Sequence, residues 1–317
     1  MIWQPHGSFA PHMLAILVAA GSMSCAPQGM LATSGNWKRG TTTHFITVGA
    51  TPRQYLIHVP ERRPMTLGGL IRAYPLVLVL HGSSASGEDI RQVSRMDSLS
   101  EVGRFVVAYP YGTNGGGLGP TDWNGGTCCG AAERNKVDDI GFLAALIAEA
   151  SKNLTVDPHR IYIMGFSSGA IMTYHAACKL APMIAAIGVI SGSLMDDSCV
   201  PARPLAVIGI HGSSDDQVPY DDPTLTSPPA PVTGAGARLP PSAQFWVATN
   251  GCAQGVEVRQ SPHVVQTGFK VCKGPHVVFY TIEGGTHGWP GADQAPPMSE
   301  LQASSVIAAF FGRQVAR

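Results

Sequence analysis

Residues 160–174 read Arg160-Ile161-Tyr162-Ile163-Met164-Gly165-Phe166-Ser167-Ser168-Gly169-Ala170-Ile171-Met172-Thr173-Tyr174. A mostly apolar run leads into Gly-Phe-Ser-Ser-Gly, and a second apolar stretch leaves it. The pattern predicts a strand, a tight turn and the start of a helix, with Ser167 at the apex. A G-x-S-x-G string is a weak signal alone; between a strand and a helix it describes a turn that presents a nucleophilic serine. The reason is steric. Small residues two positions from the serine let strand and helix pass closely, and the turn holds the serine in a strained backbone conformation. The hydroxyl is then held out above the sheet, and the amides at the new helix N-terminus point toward any anion formed there.

The flanking chain repeats the strand-then-helix pattern. Residues 76–80 (LVLVL) form an unbroken apolar run, as in a strand buried on both faces, and end in His81-Gly82-Ser83-Ser84. Further strands are expected at 105–108, 184–190, 205–210 and 276–282. Helices are expected at about 88–102, from Asp138 or Asp139 (either can cap) to about 152, at 242–249 and at about 299–311. Residues 44–48 and 53–59 flank Gly49-Ala50-Thr51-Pro52 and read as an N-terminal antiparallel hairpin. The alternation predicts an α/β protein with a mostly parallel central sheet flanked by helices. In such sheets the site lies at the carboxyl ends of the strands. Those ends carry polar clusters at His81-Gly82, Ser167 and His211-Gly212. A Gly-rich loop at 113–136 and a Pro/Gly/Ser-rich surface loop at 221–241 border that edge.

Composition narrows the classes. The 317 residues suit one large α/β domain, expected over 41–317. Net charge is zero and charged residues are only 13%, which leaves no basic face for nucleic acid. There are 37 Gly and 25 Pro, yet 44% of residues are hydrophobic, so the chain reads as loop-rich rather than disordered.

The N-terminus points to export. No Lys or Arg precedes Lys38, and residues 13–21 (MLAILVAAG) form an apolar run before Ser22-Met23-Ser24-Cys25. The run is too short to span a bilayer and resembles the core and cleavage site of a signal peptide. Residues 1–25 are expected to be that signal and 26–40 a spacer. Cys25 stands where a bacterial lipoprotein carries its lipidated cysteine, although Ser22 replaces the usual Leu and the leading segment lacks a positive charge. The protein is therefore expected to be extracytoplasmic, either secreted or, with Cys25 lipidated, membrane-anchored.

Seven cysteines suit an oxidising compartment. Without Cys25, six remain, enough for three disulfides. Cys252 and Cys272 bracket what reads as a polar loop and are the best pair. The neighbours Cys128 and Cys129 are expected to bond elsewhere, because adjacent cysteines bridge only with strain. No C-x-x-C pair suggests a metal site, and neither metal nor cofactor is expected.

A serine hydroxyl needs a base within hydrogen-bond reach, and the base needs an orienting acid. With this turn the chain order is Ser, Asp or Glu, then His. Of the downstream histidines, His175 lies on the helix after the turn, His211 precedes the acids, His263 lies inside the Cys252–Cys272 segment and His276 starts a strand. His287 sits in Glu283-Gly284-Gly285-Thr286-His287-Gly288-Trp289-Pro290-Gly291, a flexible loop after the last strand, and is the expected base. The acid should follow the strand ending at Ile210, where Asp215 and Asp216 stand together; position does not separate them, and Asp also serves as a turn cap. Two amides are needed for the tetrahedral oxyanion: Ser168, after the nucleophile, and Ser83, in the turn after the 76–80 strand. His81 reads as a brace for that turn. Trp289, Trp123 and Tyr111 are candidate walls for a flat substrate group, against the plainer reading of packing residues.

With these pieces in hand, the segments LVLVLHGSSASGEDI, YPYGTN…WNGGTCCG…VDDIGFLAALI, RIYIMGFSSGAIMTY, HGSSDDQVPY and EGGTHGWPG resemble the secreted esterase family of polyhydroxybutyrate depolymerases and feruloyl or acetylxylan esterases. They occur in the family's order, and the resemblance covers about residues 53–311. The resemblance implies an α/β-hydrolase fold, cofactor-free ester hydrolysis and a Ser167, Asp215, His287 triad; its HG-x-x-D pattern selects Asp215 over Asp216. One departure is Gly288, where many members have Thr, which removes a side chain beside the site. The implied activity is a feruloyl or acetylxylan type carboxylesterase. A polyester depolymerase is the alternative, followed by a serine peptidase or a binding protein that kept the fold.

Overall fold

The protein is described by a computed structural model covering residues 37–65, 72–116, 121–196, 198–221, 239–291 and 293–316. The expected signal, Cys25, most of the spacer and most of the 221–241 loop lie outside those residues. No helix among the described residues is long and apolar enough to cross a membrane.

The apolar runs form the centre of a sheet. Strands β3 (Tyr74–Leu80), β4 (Val106–Pro110), β5 (Val156–Phe166), β6 (Ala186–Ile190), β7 (Ala206–Gly212) and β10 (Val277–Ile282) lie side by side in the order β4-β3-β5-β6-β7-β10. All neighbours in this set are parallel. Burial on both faces explains why these segments are almost wholly apolar. The antiparallel hairpin β1 (Gly40–Val48) and β2 (Thr51–Val59) extends the β4 edge, with β2 against β4.

Alternate side chains of each strand enter two apolar layers. On one face, Leu76, Leu78 and Leu80 pack with Phe142 and Leu146 of α4 (Asp139–Asn153), Tyr174 of α5 (Ser168–Leu180) and Trp246 of α6 (Pro241–Thr249). On the other, Val77 and Val79 join Ile90 of α1 (Gly87–Ser94), Met96 of α2 (Met96–Gly103) and Ile307 and Phe311 of α7 (Ala303–Phe311). A short helix, α3 (Gly130–Arg134), lies in the Gly-rich loop.

Two local expectations need correction, and a choice left open between two residues is resolved. The single helix expected at 88–102 is two, broken at Arg95, whose φ of 51° is left-handed. In one continuous helix Ile90 and Met96 would point about 120° apart; the break turns both into the same apolar layer. The 252–272 segment is not a loop but a hairpin, β8 (Cys252–Arg259) and β9 (Val264–Cys272), which adds to β10 as the far sheet edge. The cap of α4 is Asp138, whose carboxylate accepts from the Gly141 amide at 2.7 Å, while Asp139 is buried against Arg53.

Cys252 and Cys272 face each other across the β8–β9 hairpin and are disulfide-bonded. A second bridge joins Cys178 of α5 to Cys199. With those four paired to each other, Cys128 and Cys129 have no other described partner, and they are bonded to each other across a cis peptide. The expectation that each reaches elsewhere is therefore wrong.

Candidate active site

The turn between β5 and α5 is as tight as the glycines suggest. A side chain on Gly165 would strike the Gly169 carbonyl, and one on Gly169 would strike the carbonyls of His81 and Leu80. Only hydrogen fits at either place. Ser167 is held at φ 55°, ψ −124°, a region that side chains rarely adopt. Its amide is tied to the Ile190 carbonyl of β6 at 3.0 Å, and its carbonyl receives the amides of Ala170 and Ile171.

The loops leaving β7 and β10 are laced together. Ser213 donates its amide to the Ile282 carbonyl at 2.9 Å, and Ser214 to the Gly285 carbonyl at 2.8 Å. That lacing brings Asp215 and His287, 72 positions apart, to one place. Nε2 of His287 lies 3.0 Å from Oγ of Ser167, and Nδ1 lies 3.0 and 2.9 Å from the two carboxylate oxygens of Asp215. A carboxylate only accepts, so Nδ1 carries the proton and Nε2 is free to accept from the serine hydroxyl. Asp216 is exposed.

Asp215 is buried. Burial alone would raise its carboxyl, but hydrogen bonds from His211, His287 and the Val218 amide outweigh it and hold the group well below the ordinary carboxylate range. The Val218 and Gln217 amides reach Oδ1 at 2.9 and 3.0 Å. His211 was not expected to take part. Its Nε2 donates to the Val218 carbonyl at 2.8 Å and lies 3.3 Å from Oδ2 of Asp215, so it closes the acid loop from behind.

Ser168 is the first residue of α5, where amides have no intrahelical acceptor. Ser83 lies opposite in the turn after β3, and both line the same cleft as Ser167 and His287. The turn is fixed from below. His81 Nδ1 donates to the Gly82 carbonyl at 2.7 Å, and its Nε2 accepts the Gly112 amide at 2.8 Å. Burial lowers the His81 imidazole below its usual value, opposed in part by the Gly82 carbonyl and Asp122, and favours this neutral form. Ser83 Oγ donates to Asp122 at 2.8 Å, and the Ser84 amide donates to the Thr121 carbonyl at 2.9 Å.

Two of the three expected substrate walls are elsewhere. Trp123 is fully buried and donates its indole N–H to the His81 carbonyl at 2.8 Å. It braces the turn because a buried indole nitrogen needs an acceptor. Tyr111 does not line the cleft; its ring packs against Gly87. Trp289 does line it, with Nε1 donating to Ser304 Oγ at 3.2 Å. The cleft encloses about 620 Å³. Beside Trp289 stand Phe166, whose ring is 4.9 Å from that of His287, together with Ile90 and Val93. Cys128, Cys129, Ile171 and Met195 supply further apolar lining, with Ala85 and Val218. Phe166 was not among the expected cleft residues, although its place as the first x of G-x-S-x-G, beside the serine, could have marked it; the others carried no such signal. A Cβ on Gly288 would meet nothing nearer than Met298 at 3.5 Å, so the missing side chain leaves open space.

Of the other downstream candidates, His175 pairs with Asp196 at 2.9 Å and His263 with Glu300 at 2.5 Å. Among the described residues, no group of three His, Cys, Asp or Glu side chains is arranged to hold a metal ion.

Comparison with known proteins agrees with this architecture. The profile of the phospholipase/carboxylesterase family matches residues 72–228. The chain is 26% identical to the putative esterase NocK of Nocardia uniformis subsp. tsuyamanensis, over 79% of this chain and 74% of that protein. It is 29% identical to a probable feruloyl esterase C of Aspergillus clavatus, over 77% of this chain and 80% of the other. The fold is shared with an acetyl xylan esterase from Aspergillus awamori, at a TM-score of 0.57 and 16% identity, over 86% of this chain and 99% of that one. The chain has an α/β-hydrolase fold, its sequence is similar to feruloyl esterases, and it is a carboxylic ester hydrolase.

Proposed function

We propose that this chain is an exported serine esterase that releases feruloyl or acetyl groups from plant cell-wall polysaccharide through an acyl-enzyme, with Ser167 as nucleophile, His287 as base and Asp215 as acid. The observation that carries the reading is the unbroken line of hydrogen bonds from Ser167 Oγ through His287 to Asp215. Ser167 attacks the ester carbonyl as His287 Nε2 takes its proton. The amides of Ser83 and Ser168 receive the oxyanion, each such donor lowering the barrier by roughly 3–4 kcal/mol. The intermediate collapses, His287 returns the proton to the departing alcohol oxygen, and water, activated by the same imidazole, frees the acid. Asp215 keeps Nδ1 protonated and stabilises the imidazolium that forms between the two steps.

The acyl preference is supported by the feruloyl esterase relative and the acetyl xylan esterase of like fold. Export is supported by the apolar N-terminal run and by three disulfides, which persist in oxidising compartments.

The test is a panel of methyl ferulate, acetylated xylan, polyhydroxybutyrate film and p-nitrophenyl acetate, run on wild type and Ser167→Ala. Feruloyl or acetyl release is expected from wild type, with kcat lower by about 10^6-fold in the variant. Full activity in Ser167→Ala would reject the nucleophile. Film clearing without feruloyl or acetyl release would reject the substrate.

A further inference from the structure

The cleft has one wall that the esterase chemistry above does not use. Cys128 and Cys129 are joined to each other, half-buried, and line the cleft together with Ser167, Ser168, Ile171 and Met195. Their loop is held firmly. The Cys129 amide donates to the Trp123 carbonyl at 2.8 Å, and Thr127 donates both its amide and its hydroxyl to the Met195 carbonyl, at 3.0 and 2.8 Å. Gly125 lies so close to α5 that an added Cβ would be 2.9 Å from Ile171 Cγ2.

We propose that this sulfur wall, made by the Cys128–Cys129 disulfide with Met195 and Ile171, is the subsite for the planar aromatic ring of the acyl group. The inference rests on the esterase reading above and names which part of the cleft selects the acyl group. Direction supports it. The departing alcohol must face His287 Nε2, which protonates it, and Phe166 and Trp289 cluster on that side, with ring centres of Phe166 and His287 4.9 Å apart. The oxyanion faces the Ser83 and Ser168 amides. The acyl substituent is left with the side of Ser167 that runs along α5, where Ile171 and the disulfide stand. Chemistry supports it too. A disulfide and a thioether are polarizable and carry no strong donor, so they suit an aromatic face or edge better than an alkyl chain, which gains only from the area it buries. The bonded pair also forms a stiff wall, whereas two free thiols would each rotate.

The experiment compares kcat/KM for methyl ferulate and methyl cinnamate, whose ring is on the acyl side, with phenyl acetate, whose ring is on the alcohol side, and with methyl butyrate. The variants are Cys128→Ala with Cys129→Ala, and separately Met195→Ala, which keeps the backbone carbonyl that Thr127 binds. The ratio of ferulate or cinnamate to butyrate is expected to fall roughly tenfold in the double variant and roughly threefold in Met195→Ala, with the phenyl acetate to butyrate ratio changing by less than about twofold. A thermal unfolding curve checks that each variant is folded, and Met195→Ala carries the test if the double variant is not. An unchanged ferulate ratio in an enzyme active on these esters overturns the subsite and leaves the esterase reading intact. A fall in the phenyl acetate ratio instead places the ring on the alcohol side and also overturns it. Wild type that cleaves butyrate but neither aromatic acyl ester rejects the subsite together with the feruloyl preference. Wild type inactive on all four rejects the function.

Discussion

Two strand ends in this molecule carry the same four residues: His81-Gly82-Ser83-Ser84 just after β3 and His211-Gly212-Ser213-Ser214 across the end of β7. Their surroundings give them opposite uses. The His81 ring receives a backbone amide on Nε2 and so keeps its proton on Nδ1, facing the Gly82 carbonyl. The His211 ring meets only acceptors at Nε2, the Val218 carbonyl and Asp215, so the proton is there. Gly82 lies against Ser167, with an added Cβ 3.2 Å from Ser167 Cβ, whereas Gly212 lies against the backbone of Gly285 in the histidine loop. Ser83 gives its hydroxyl proton to Asp122; Ser213 accepts the Gly284 amide. Local sequence makes a buried strand end followed by a polar turn. The neighbouring loop then decides whether that turn lines the cleft beside Ser167 or presents a carboxylate to a histidine.

The sharpest difference is four residues beyond each histidine, Ala85 in the first case and Asp215 in the second. Asp215→Asn is expected to lower kcat by about 10^4-fold, because an amide no longer enforces the His287 tautomer. The same variant carries a pH signature. A carboxyl held low in the fold adds stability above its unfolded value of about 3.9, and loses that contribution as pH falls through the lower folded value. The stability advantage of wild type over Asp215→Asn in urea unfolding should therefore shrink steadily below about pH 4. A gap that stays constant from neutral pH to pH 2 would show that the acid loop does not hold Asp215 in this way.

Next in size is the glycine pair. In Gly212→Ala the new methyl meets backbone, which cannot rotate aside, and overpacking of about 1–3 kcal/mol is expected, a fall of roughly 5 °C in Tm. In Gly82→Ala the neighbours are the side chains of Ser167 and Phe166, at 3.2 and 3.3 Å, which can give a few tenths of an ångström. That variant should keep its Tm within about 2 °C and lose roughly tenfold in kcat, because the atom that moves is next to the nucleophile. Equal losses of Tm would erase the distinction between the two turns.

The comparison also explains what the sequence could reveal. The sheet centre was legible because strands buried on both faces must be apolar throughout. The serine turn was legible because its crowding tolerates only glycine at Gly165 and Gly169. The β8–β9 hairpin was not, because β8 is an outer strand with most residues exposed or half-exposed, so no apolar run or clean alternation marks it. Asp215 and Asp216 were inseparable from residues alone; burial distinguishes them, and burial here depends on loops from two distant strands. Trp123 was a candidate substrate wall because an aromatic face suits a flat group, against the plainer reading of a packing residue. Its indole instead serves the His81 carbonyl, a partner 42 positions away. The Cys128–Cys129 bridge depended on knowing that the other four cysteines pair among themselves.

The smallest contrast lies in the serines. Ser83→Ala removes a donor from Asp122, which is buried and retains the Trp123 amide on its other oxygen. The loss should be about 1 kcal/mol, concentrated in the turn that presents the Ser83 amide, so kcat should fall roughly fivefold with KM little changed. Ser213→Ala frees the Gly284 amide, but Gly284 is exposed and water can take the place of the hydroxyl. Its effect on kcat should stay within about twofold. The measurement is steady-state kinetics of both variants on one activated ester. If Ser213→Ala proves the more damaging, the histidine loop depends on that single hydroxyl more than on the Ser213 and Ser214 amides that lace it to β7, and the second turn is the weaker of the two.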